Sequence, residues 1–268
     1  MTSNPVERPA VSTPHVLVER SGPVARVILD RPERRNPLSL QMMREATTAI
    51  RELGSDPTCG VVVVTGSGPA LSAGHEIGEM IERTLDQERE IFATCVDLMD
   101  SIQAIRHPVI AEVQGHAIAA GCQLVATCDL AVAVDTARFG TPGVKIGLFC
   151  STPMVAVSRN IGRKRALQML LTGETIDAAT AVEWGLINEA VPAAELRARV
   201  DELANRIAGA SPLTLEIGKQ AFYRQIDLPQ DSAYAEMAET MATNAVTCDA
   251  QEGMTAFLEK RTPQWRGE

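Results

Sequence analysis

Two short segments of this sequence join an apolar run to a predicted helix through small residues. The first is TGSGPALSAGHEIGEM, residues 65–80, and the second is QGHAIAAGCQLVATCDLAVA, residues 114–133. The first backbone amides of a helix have no partner within the helix. By position, these amides belong to His75 in the first segment and to Ala120 in the second.

A pair of such N–H groups can stabilise a negative oxygen, and the helix dipole adds to the attraction. Losing one donor of such a pair costs about 10²–10³ in rate in known enzymes. The alternative interpretation is two ordinary tight turns, which are common in α/β proteins, and neither segment continues with a phosphate-loop lysine. The occurrence of both segments in one chain favours an oxyanion-binding site.

The elements that would position these segments alternate between strand and helix. Runs at 16–19 and 24–29 predict a hairpin, and a helical pattern extends from Ser39, as N-cap, to Gly54. GVVVVT, residues 60–65, predicts a strand buried on both faces. In chain order, the further predicted elements are a helix that begins near 75, a helix over 91–105, a strand over 109–113, a helix from about 120 and a strand over 130–134.

The last third of the chain is predicted to be helical. Its helices are expected over residues 163–171, 178–184, 193–207, 212–225, 232–243 and 250–260. The alternation before them favours an α/β fold with mainly parallel strands, but it does not distinguish a doubly wound sheet from a spiral.

Composition excludes several classes of protein. The 268 residues suffice for one large domain, and the net charge of −9 argues against a nucleic-acid surface. The six cysteines show neither metal-ligand nor disulfide spacing, and no apolar run reaches the length of a membrane span. These observations predict no metal and no membrane or nucleic-acid partner. Residues 1–14 resemble a flexible tail rather than a leader, so we predict a cytoplasmic protein.

Five motifs occur in an order typical of one family. They are ALSAGHEIGEM, GHAIAAGCQLVATCDLAVA, FGTPGVKIGL, LTGETIDAATAVEWGLINEAVP and TAFLEKR. Together they resemble the crotonase superfamily of enoyl-CoA hydratases and isomerases over roughly residues 16–261. The resemblance implies an α/β crotonase spiral of strand–strand–helix units over residues 15–205. It also implies a C-terminal helical region, 206–268, that covers CoA and assembles a homotrimer or a dimer of trimers.

The resemblance gives the two amides a ligand. In this family two backbone N–H groups bind the thioester carbonyl of an acyl-CoA, and they correspond to His75 and Ala120 here. CoA is then part of the substrate, and no separate cofactor is expected. The contact is made through the backbone, so the side chains at these positions are loosely constrained.

The resemblance also identifies a departure from the family pattern. The two glutamates that handle water and protons in hydratases correspond to Gln123 and Gly143. A glutamine amide does not exchange protons near neutral pH, and glycine has no side chain. We therefore expect ordinary hydration to be impaired, and we expect that Gln123→Glu with Gly143→Glu would introduce crotonyl-CoA hydration.

The remaining site residues also follow from the resemblance. Those expected to contact the CoA ligand are Arg34, Arg35, His75, Glu76, Ile77, Phe257 and Lys260, the last two from a neighbouring subunit. Solvated surface charge is the alternative for the cations, and trimer packing is the alternative for Phe257. Capping is the favoured role for the Glu76 carboxylate, and packing or capping for Cys150 and Ser151.

Several functions stay open at this point. The nominal activity is that of an enoyl-CoA hydratase or isomerase in acyl-CoA metabolism. One alternative is another reaction of the same enolate, such as decarboxylation or thioester hydrolysis, with the imidazole of His75 as one candidate group. Others are an inactive acyl-CoA-binding or regulatory protein and a scaffold.

Overall fold

The structure is a computed structural model that describes residues 13–268. The predicted tail lies almost entirely outside these residues. The strands of the described part are β1 Val16–Ser21, β2 Val24–Leu29, β3 Val61–Gly66, β4 Ala70–Ser72, β5 Val109–Val113, β6 His116–Ile118, β7 Leu130–Val134, β8 Arg138–Gly140, β9 Thr175–Asp177 and β10 Glu189–Val191. The helices are α1 Leu40–Ser55, α2 Leu85–Ala104, α3 Ala120–Thr127, α4 Ser151–Asn160, α5 Arg163–Thr172, α6 Ala178–Trp184, α7 Leu196–Ala208, α8 Pro212–Gln225, α9 Gln230–Ala245 and α10 Cys248–Glu259.

The strands form two sheets. The larger has the order β1-β2-β3-β5-β7-β10 and is parallel except for the β1–β2 hairpin. The smaller has the order β4-β6-β8-β9, with only β9 antiparallel to its neighbour. The chain adds one long strand to the first sheet, one short strand to the second and then a helix, in three successive rounds that end at α2, α3 and α4. The predicted crotonase spiral of strand–strand–helix units is therefore confirmed.

The core lies against the larger sheet. All six residues of β3 are buried, as a continuous apolar run predicts for a strand covered on both faces. Helix α7 crosses β2, β3, β5 and β7 on one face, where it buries Leu196, Val200 and Ala204. These residues recur every four positions and so share one side of the helix. The short strands of the second sheet lie beside the larger sheet, where β4 contacts β3 and β5.

Most predicted elements are found within a few residues of their expected bounds. Strands β5 and β7 and helices α6 and α8 match exactly, and Ser39 caps α1 by accepting a hydrogen bond from the Met42 amide. The prediction of a helix that begins near His75 is wrong. His75 is bridged to Leu38 and Glu76 is extended, with φ −71° and ψ 96°, so only a single 3₁₀ turn, Ile77–Glu79, follows. Glu82, with a left-handed φ of 57°, prevents that turn from continuing as a helix.

Two further helix starts differ from the predictions. Helix α2 begins six residues before the predicted start at 91, where Thr84 and Gln87 form a reciprocal capping box. Helix α4 is not among the predicted helices. Pro153 lies in its first turn, where a missing N–H costs no hydrogen bond. No helix in residues 13–268 is long and apolar enough to cross a membrane.

Candidate active site

A cavity of about 530 Å³ lies between the two segments singled out in the sequence. This volume is within the range of small-molecule sites. Both His75 and Ala120 line it, together with residues of the loop that leads from β8 into α4. The lining is mostly apolar, and none of the described residues that form it is Asp or Glu. The cavity therefore offers hydrogen-bond donors and apolar surface but no carboxylate.

Ala120 contributes one donor at the first position of α3. Every residue of α3 is buried, and the N-cap, Ala119, has no side chain that could cap the helix. Within residues 13–268 the Ala120 amide donates no hydrogen bond. Buried N–H groups are almost always paired in proteins. An uncapped, buried helix start beside a cavity is therefore a place for a ligand oxygen.

His75 contributes a second donor from an extended segment. The Leu38 amide donates to the Gly74 carbonyl at 2.8 Å, and the Glu76 amide donates to the Leu38 carbonyl at 3.3 Å. In such a parallel bridge both bonds go to the residues on either side of His75, so the His75 N–H points away from Leu38. That N–H has no hydrogen-bond acceptor in the described part of the chain.

Glycines bring the two donors together. A β-carbon on Gly74 would lie 3.5 Å from the Ala120 amide nitrogen and 2.8 Å from the Ala119 β-carbon. A β-carbon on Gly121 would lie 2.4 Å from the Ser72 carbonyl oxygen. Only glycine permits these approaches, and Gly74 also has a φ of +98°, which disfavours other residues. The small residues noticed in the sequence thus set the spacing of the two donors.

The backbone is strained beside the second donor. Ala119 has φ 51° and ψ −115°, a region that residues with a β-carbon rarely occupy. Such conformations cost of order 1–3 kcal/mol and persist where the surroundings impose them. Here the Ala119 amide donates to the Gly140 carbonyl at 2.8 Å, which ties the turn to β8. The conformation of Ala119 turns the chain, so that α3 begins at Ala120 and the Ala120 N–H lies at the cavity.

Gln123 does not line this cavity. Its side chain, 4% exposed, borders a separate cavity of about 230 Å³ between α2, α3 and α4. The Cys95 thiol donates to the Gln123 Oε1 over a sulfur–oxygen distance of 3.9 Å. The Gln123 amide therefore lies outside the lining of the main cavity, where a ligand carbonyl would bind.

Gly143 does line the cavity, but the position is closed to a side chain. A β-carbon there would lie 2.0 Å from the Leu148 carbonyl oxygen and 2.8 Å from the Cys150 sulfur. The loop folds back at this point because the Leu148 amide donates to the Gly143 carbonyl at 3.0 Å. A glutamate at this position needs a different loop, so the expected gain of hydration in the double variant is not supported.

The imidazole of His75 is the most unusual polar group of the cavity. Its Nε2 is buried without a hydrogen-bond partner in the described residues, and its ring stands edge-on to Phe92 with centroids 5.4 Å apart. Burial lowers the pKa of His75 to about 4. The ring is therefore neutral at pH 7.

Glu76 points away from the cavity lining. Its carboxylate accepts a hydrogen bond from the Arg34 guanidinium at 2.9 Å. The Arg31 guanidinium lies 3.6 Å from the same carboxylate. It makes no capping hydrogen bond, so the capping interpretation is wrong. Arg34 is therefore partly neutralised by Glu76, whereas Arg35 is exposed and forms no ion pair among the described residues.

Of the other candidate residues, Cys150 lies in the cavity wall, and Phe257 and Lys260 lie outside it. Cys150 is the N-cap residue of α4 and lines the cavity, and burial raises the pKa of its thiol, so it is not a ready nucleophile. Phe257 and Lys260 lie at the end of α10, outside the lining of the cavity, and Phe257 is 82% exposed. The acyl-CoA contacts predicted for these two residues stay predictions.

Most of the cavity wall is formed by residues that the sequence patterns do not predict as site residues. The loop of residues 143–150 exposes Ile146, Leu148 and Phe149 around the opening, and Lys145 lines the cavity without an ion pair in the described part of the chain. The signal in the sequence was the mixture of large apolar residues and glycine in GVKIGLFC, which does not resemble an ordinary solvent-exposed loop. Phe92 and Met80 carried no such signal.

The fold and the cavity define a class of protein: an α/β spiral with an apolar, ligand-sized cavity and, at that cavity, two backbone N–H groups that are unpaired within residues 13–268. The sequence model of the enoyl-CoA hydratase/isomerase family matches residues 19–268. The chain is 42% identical to enoyl-CoA hydratase domain-containing protein 3, mitochondrial, from Xenopus laevis, over 94% of this chain and 86% of that protein.

Solved structures agree with this match. The fold superposes with a TM-score of 0.92 on the crystal structure of an enoyl-CoA hydratase of Mycobacterium smegmatis, at 44% identity, covering 94% of this chain and 99% of that one. The TM-score is also 0.92 for human enoyl-CoA hydratase domain-containing protein 3, at 41% identity, covering 94% and 100% of the two chains. The chain belongs to the enoyl-CoA hydratase/isomerase, or crotonase, family.

Proposed function

We propose that this protein binds acyl-CoA thioesters and stabilises the enolate form of the thioester. The carbonyl oxygen would accept hydrogen bonds from the N–H groups of His75 and Ala120. The observation that carries this proposal is the pair of unpaired amides at one apolar cavity. When charge develops on the oxygen, fixed donors and the α3 dipole stabilise it more strongly than they stabilise the neutral carbonyl.

The test compares two ligands that differ in one oxygen. Butyryl-CoA has the thioester carbonyl, and S-butyl-CoA, its thioether, does not. We expect calorimetry to give butyryl-CoA an affinity at least about 10-fold higher, since each hydrogen bond contributes about 1 kcal/mol. Equal affinities for the two ligands would refute the carbonyl contact, and no binding of either would refute the whole proposal.

The second candidate is acyl-CoA binding without turnover. It is favoured by the closed position at Gly143 and by the direction of the Gln123 side chain, since neither residue can put an acid or base into the cavity. Crotonyl-, malonyl- and benzoyl-CoA, incubated with the protein and analysed by mass spectrometry, separate the candidates. Conversion of any of these thioesters argues for an enzyme.

The remaining predictions belong to this proposal. Arg34 and Arg35 would contact the CoA phosphates, and Phe257 and Lys260 would reach the ligand of a neighbouring subunit. Homotrimers or dimers of trimers are supported by large exposed apolar side chains on α9 and α10, among them Tyr234, Met241, Phe257 and Leu258. Light scattering after gel filtration tests the assembly. The cytoplasmic location stays a prediction, and the names of the vertebrate relatives assign those proteins to mitochondria.

A further inference from the structure

Residues 74–79, which carry the His75 donor, are tied at both ends to the chain that leads into α1. At one end, the parallel bridge to Leu38 holds the backbone on either side of His75. At the other end, the tie is made by a side chain, because the Glu79 carboxylate accepts a hydrogen bond from the Leu40 amide at 2.8 Å. Leu40 is the first residue of α1, so the carboxylate binds the start of that helix.

The donor segment has little stiffness of its own. Gly74 precedes the donor, Gly78 follows it within the 3₁₀ turn Ile77–Glu79, and glycine leaves the backbone wide conformational freedom. None of the three residues of this turn is buried, so core packing does not fix it. The turn is closed by the Glu79 amide, which donates to the Glu76 carbonyl at 2.9 Å. The position of Glu79 is thereby linked to the residue next to the donor.

We infer that Glu79 is a positioning residue, whose contact with the first amide of α1 holds the His75 N–H in its orientation. The inference rests on the proposed function, in which that N–H binds the thioester carbonyl. The peptide between Gly74 and His75 is planar, so its N–H points away from Leu38 only while its carbonyl faces Leu38. The bond to Leu40 keeps the segment in place for this arrangement.

We expect the Glu79 contact to hold the segment more firmly than the ion pairs beside it. A hydrogen bond from a backbone N–H to a carboxylate is roughly twice as strong as a neutral one, and the helix dipole adds to it. Its partner is fixed, because α1 is 16 residues long and packs its buried side against the core. The Glu76 carboxylate pairs with Arg34 and Arg31 instead, and the closer of the two, Arg34, is 53% exposed. Exposed ion pairs contribute little.

The experiment measures carbonyl recognition, since a carboxylate that merely caps α1 would affect only the stability of the fold. The readout is the ratio of the affinities for butyryl-CoA and S-butyl-CoA, obtained by calorimetry. In Glu79→Ala we expect this ratio to fall by about 5-fold, the usual contribution of one hydrogen bond, because one of the two donors is no longer held in line. The affinity for S-butyl-CoA should not change, since this ligand has no carbonyl.

Two other substitutions of the same residue separate the hydrogen bond from the charge. Glu79→Gln keeps the length of the side chain and an oxygen that can accept the Leu40 N–H, so its ratio should lie between those of the wild type and Glu79→Ala. Glu79→Asp keeps the charge but is one carbon shorter, so it should lower the ratio as Glu79→Ala does. Glu79→Asp takes the place of the alanine variant if circular dichroism shows that the latter does not fold.

Glu45→Ala is the matched control for a loss of stability. Glu45 is a residue of α1 whose carboxylate also accepts backbone N–H groups, from His15 at 2.6 Å and from Val16 at 3.1 Å. It lies outside the lining of the cavity. Urea unfolding of this variant should show a loss of stability, and the ratio of the two affinities should stay at the wild-type value.

The outcomes separate this inference from the proposed function. A wild-type ratio in folded Glu79→Ala, or an equal fall of the ratio in Glu45→Ala, would overturn the positioning role and leave thioester binding intact. Equal affinities of the wild-type protein for the two ligands would overturn the proposed function, and the inference with it.

Discussion

Gly143 lies so close to Leu148 that a β-carbon on the glycine would come within 2.0 Å of the leucine carbonyl oxygen. The sequence resemblance predicts that a hydratase glutamate would occupy this position, and in the structure the position is closed by backbone. A flexible side chain can move out of the way, but a carbonyl within a hydrogen-bonded loop moves only with the loop. The course of the chain thus leaves no room for a glutamate side chain at this position.

We expect Gly143→Ala to destabilise the protein by about 1–3 kcal/mol, the usual cost of forcing an extra group into a packed site. Urea unfolding measures the change. Gly218→Ala is the matched control, because Gly218 is exposed in α8 and a β-carbon there meets nothing within 4 Å. That variant should be neutral or slightly stabilised. Equal stability of the two variants would contradict the close approach.

Replacing the strained residue before α3 with glycine is not expected to destabilise the protein. Ala119→Gly should leave the free energy of unfolding unchanged or raise it by up to about 1 kcal/mol, since glycine relieves the positive φ. Ala117→Gly, in β6, is the control and should lose about 1 kcal/mol or more, because it adds backbone freedom and removes a buried methyl group. Comparable losses in both variants would show that Ala119 is not strained.

His75 should make stability depend on pH. Burial lowers the pKa of His75 from 6.5 to about 4, so between these pH values the unfolded chain binds a proton that the folded chain does not. Stability should therefore fall as the pH drops through this window, by up to about 3 kcal/mol at about 1.4 kcal/mol per pH unit. His75→Ala should show a shallower decline in urea unfolding between pH 7 and pH 4.5. Identical declines would contradict the burial of the imidazole.

The exposed Arg35 should contribute to CoA affinity through charge. We expect Arg35→Gln to weaken butyryl-CoA binding by about 5-fold, the upper end for an exposed ion pair, and the difference should shrink in high salt. Butyryl-pantetheine, which lacks the nucleotide, is the matched ligand and should bind both proteins equally. An equal loss for both ligands would mean that Arg35 acts on the fold and not on the phosphates.

The sequence predicted the long elements well because their signals are local. The valine run of β3 and the cap at Ser39 each report a structure formed by neighbouring residues. Sequence patterns alone do not predict the second sheet. Strands such as β4 and β8 have three residues each, which is too short to show the alternation of apolar and polar residues that marks a strand. The helix expected near His75 failed because a bridge to Leu38 holds that segment extended, and Leu38 is distant in sequence.

Some features of the candidate site also have a local signal in the sequence, and others depend on distant segments. The Ala120 donor could be predicted, since small residues before a helix are a local signal. The orientation of the Gln123 side chain and the closure at Gly143 could not, because both depend on how α2 and the loop of residues 143–148 approach from elsewhere in the chain. The unpartnered nitrogen of His75 likewise becomes visible only when the ring is placed against Phe92.

The central claim is that the N–H groups of His75 and Ala120 hold a thioester carbonyl. Infrared difference spectroscopy of butyryl-CoA labelled with ¹³C at that carbonyl tests it most directly, because hydrogen bonding weakens the C=O bond and lowers its stretching frequency. We expect the bound ligand to absorb at a distinctly lower frequency than the free ligand in water, with a narrower band. A bound carbonyl that absorbs at or above the frequency in water would contradict the account.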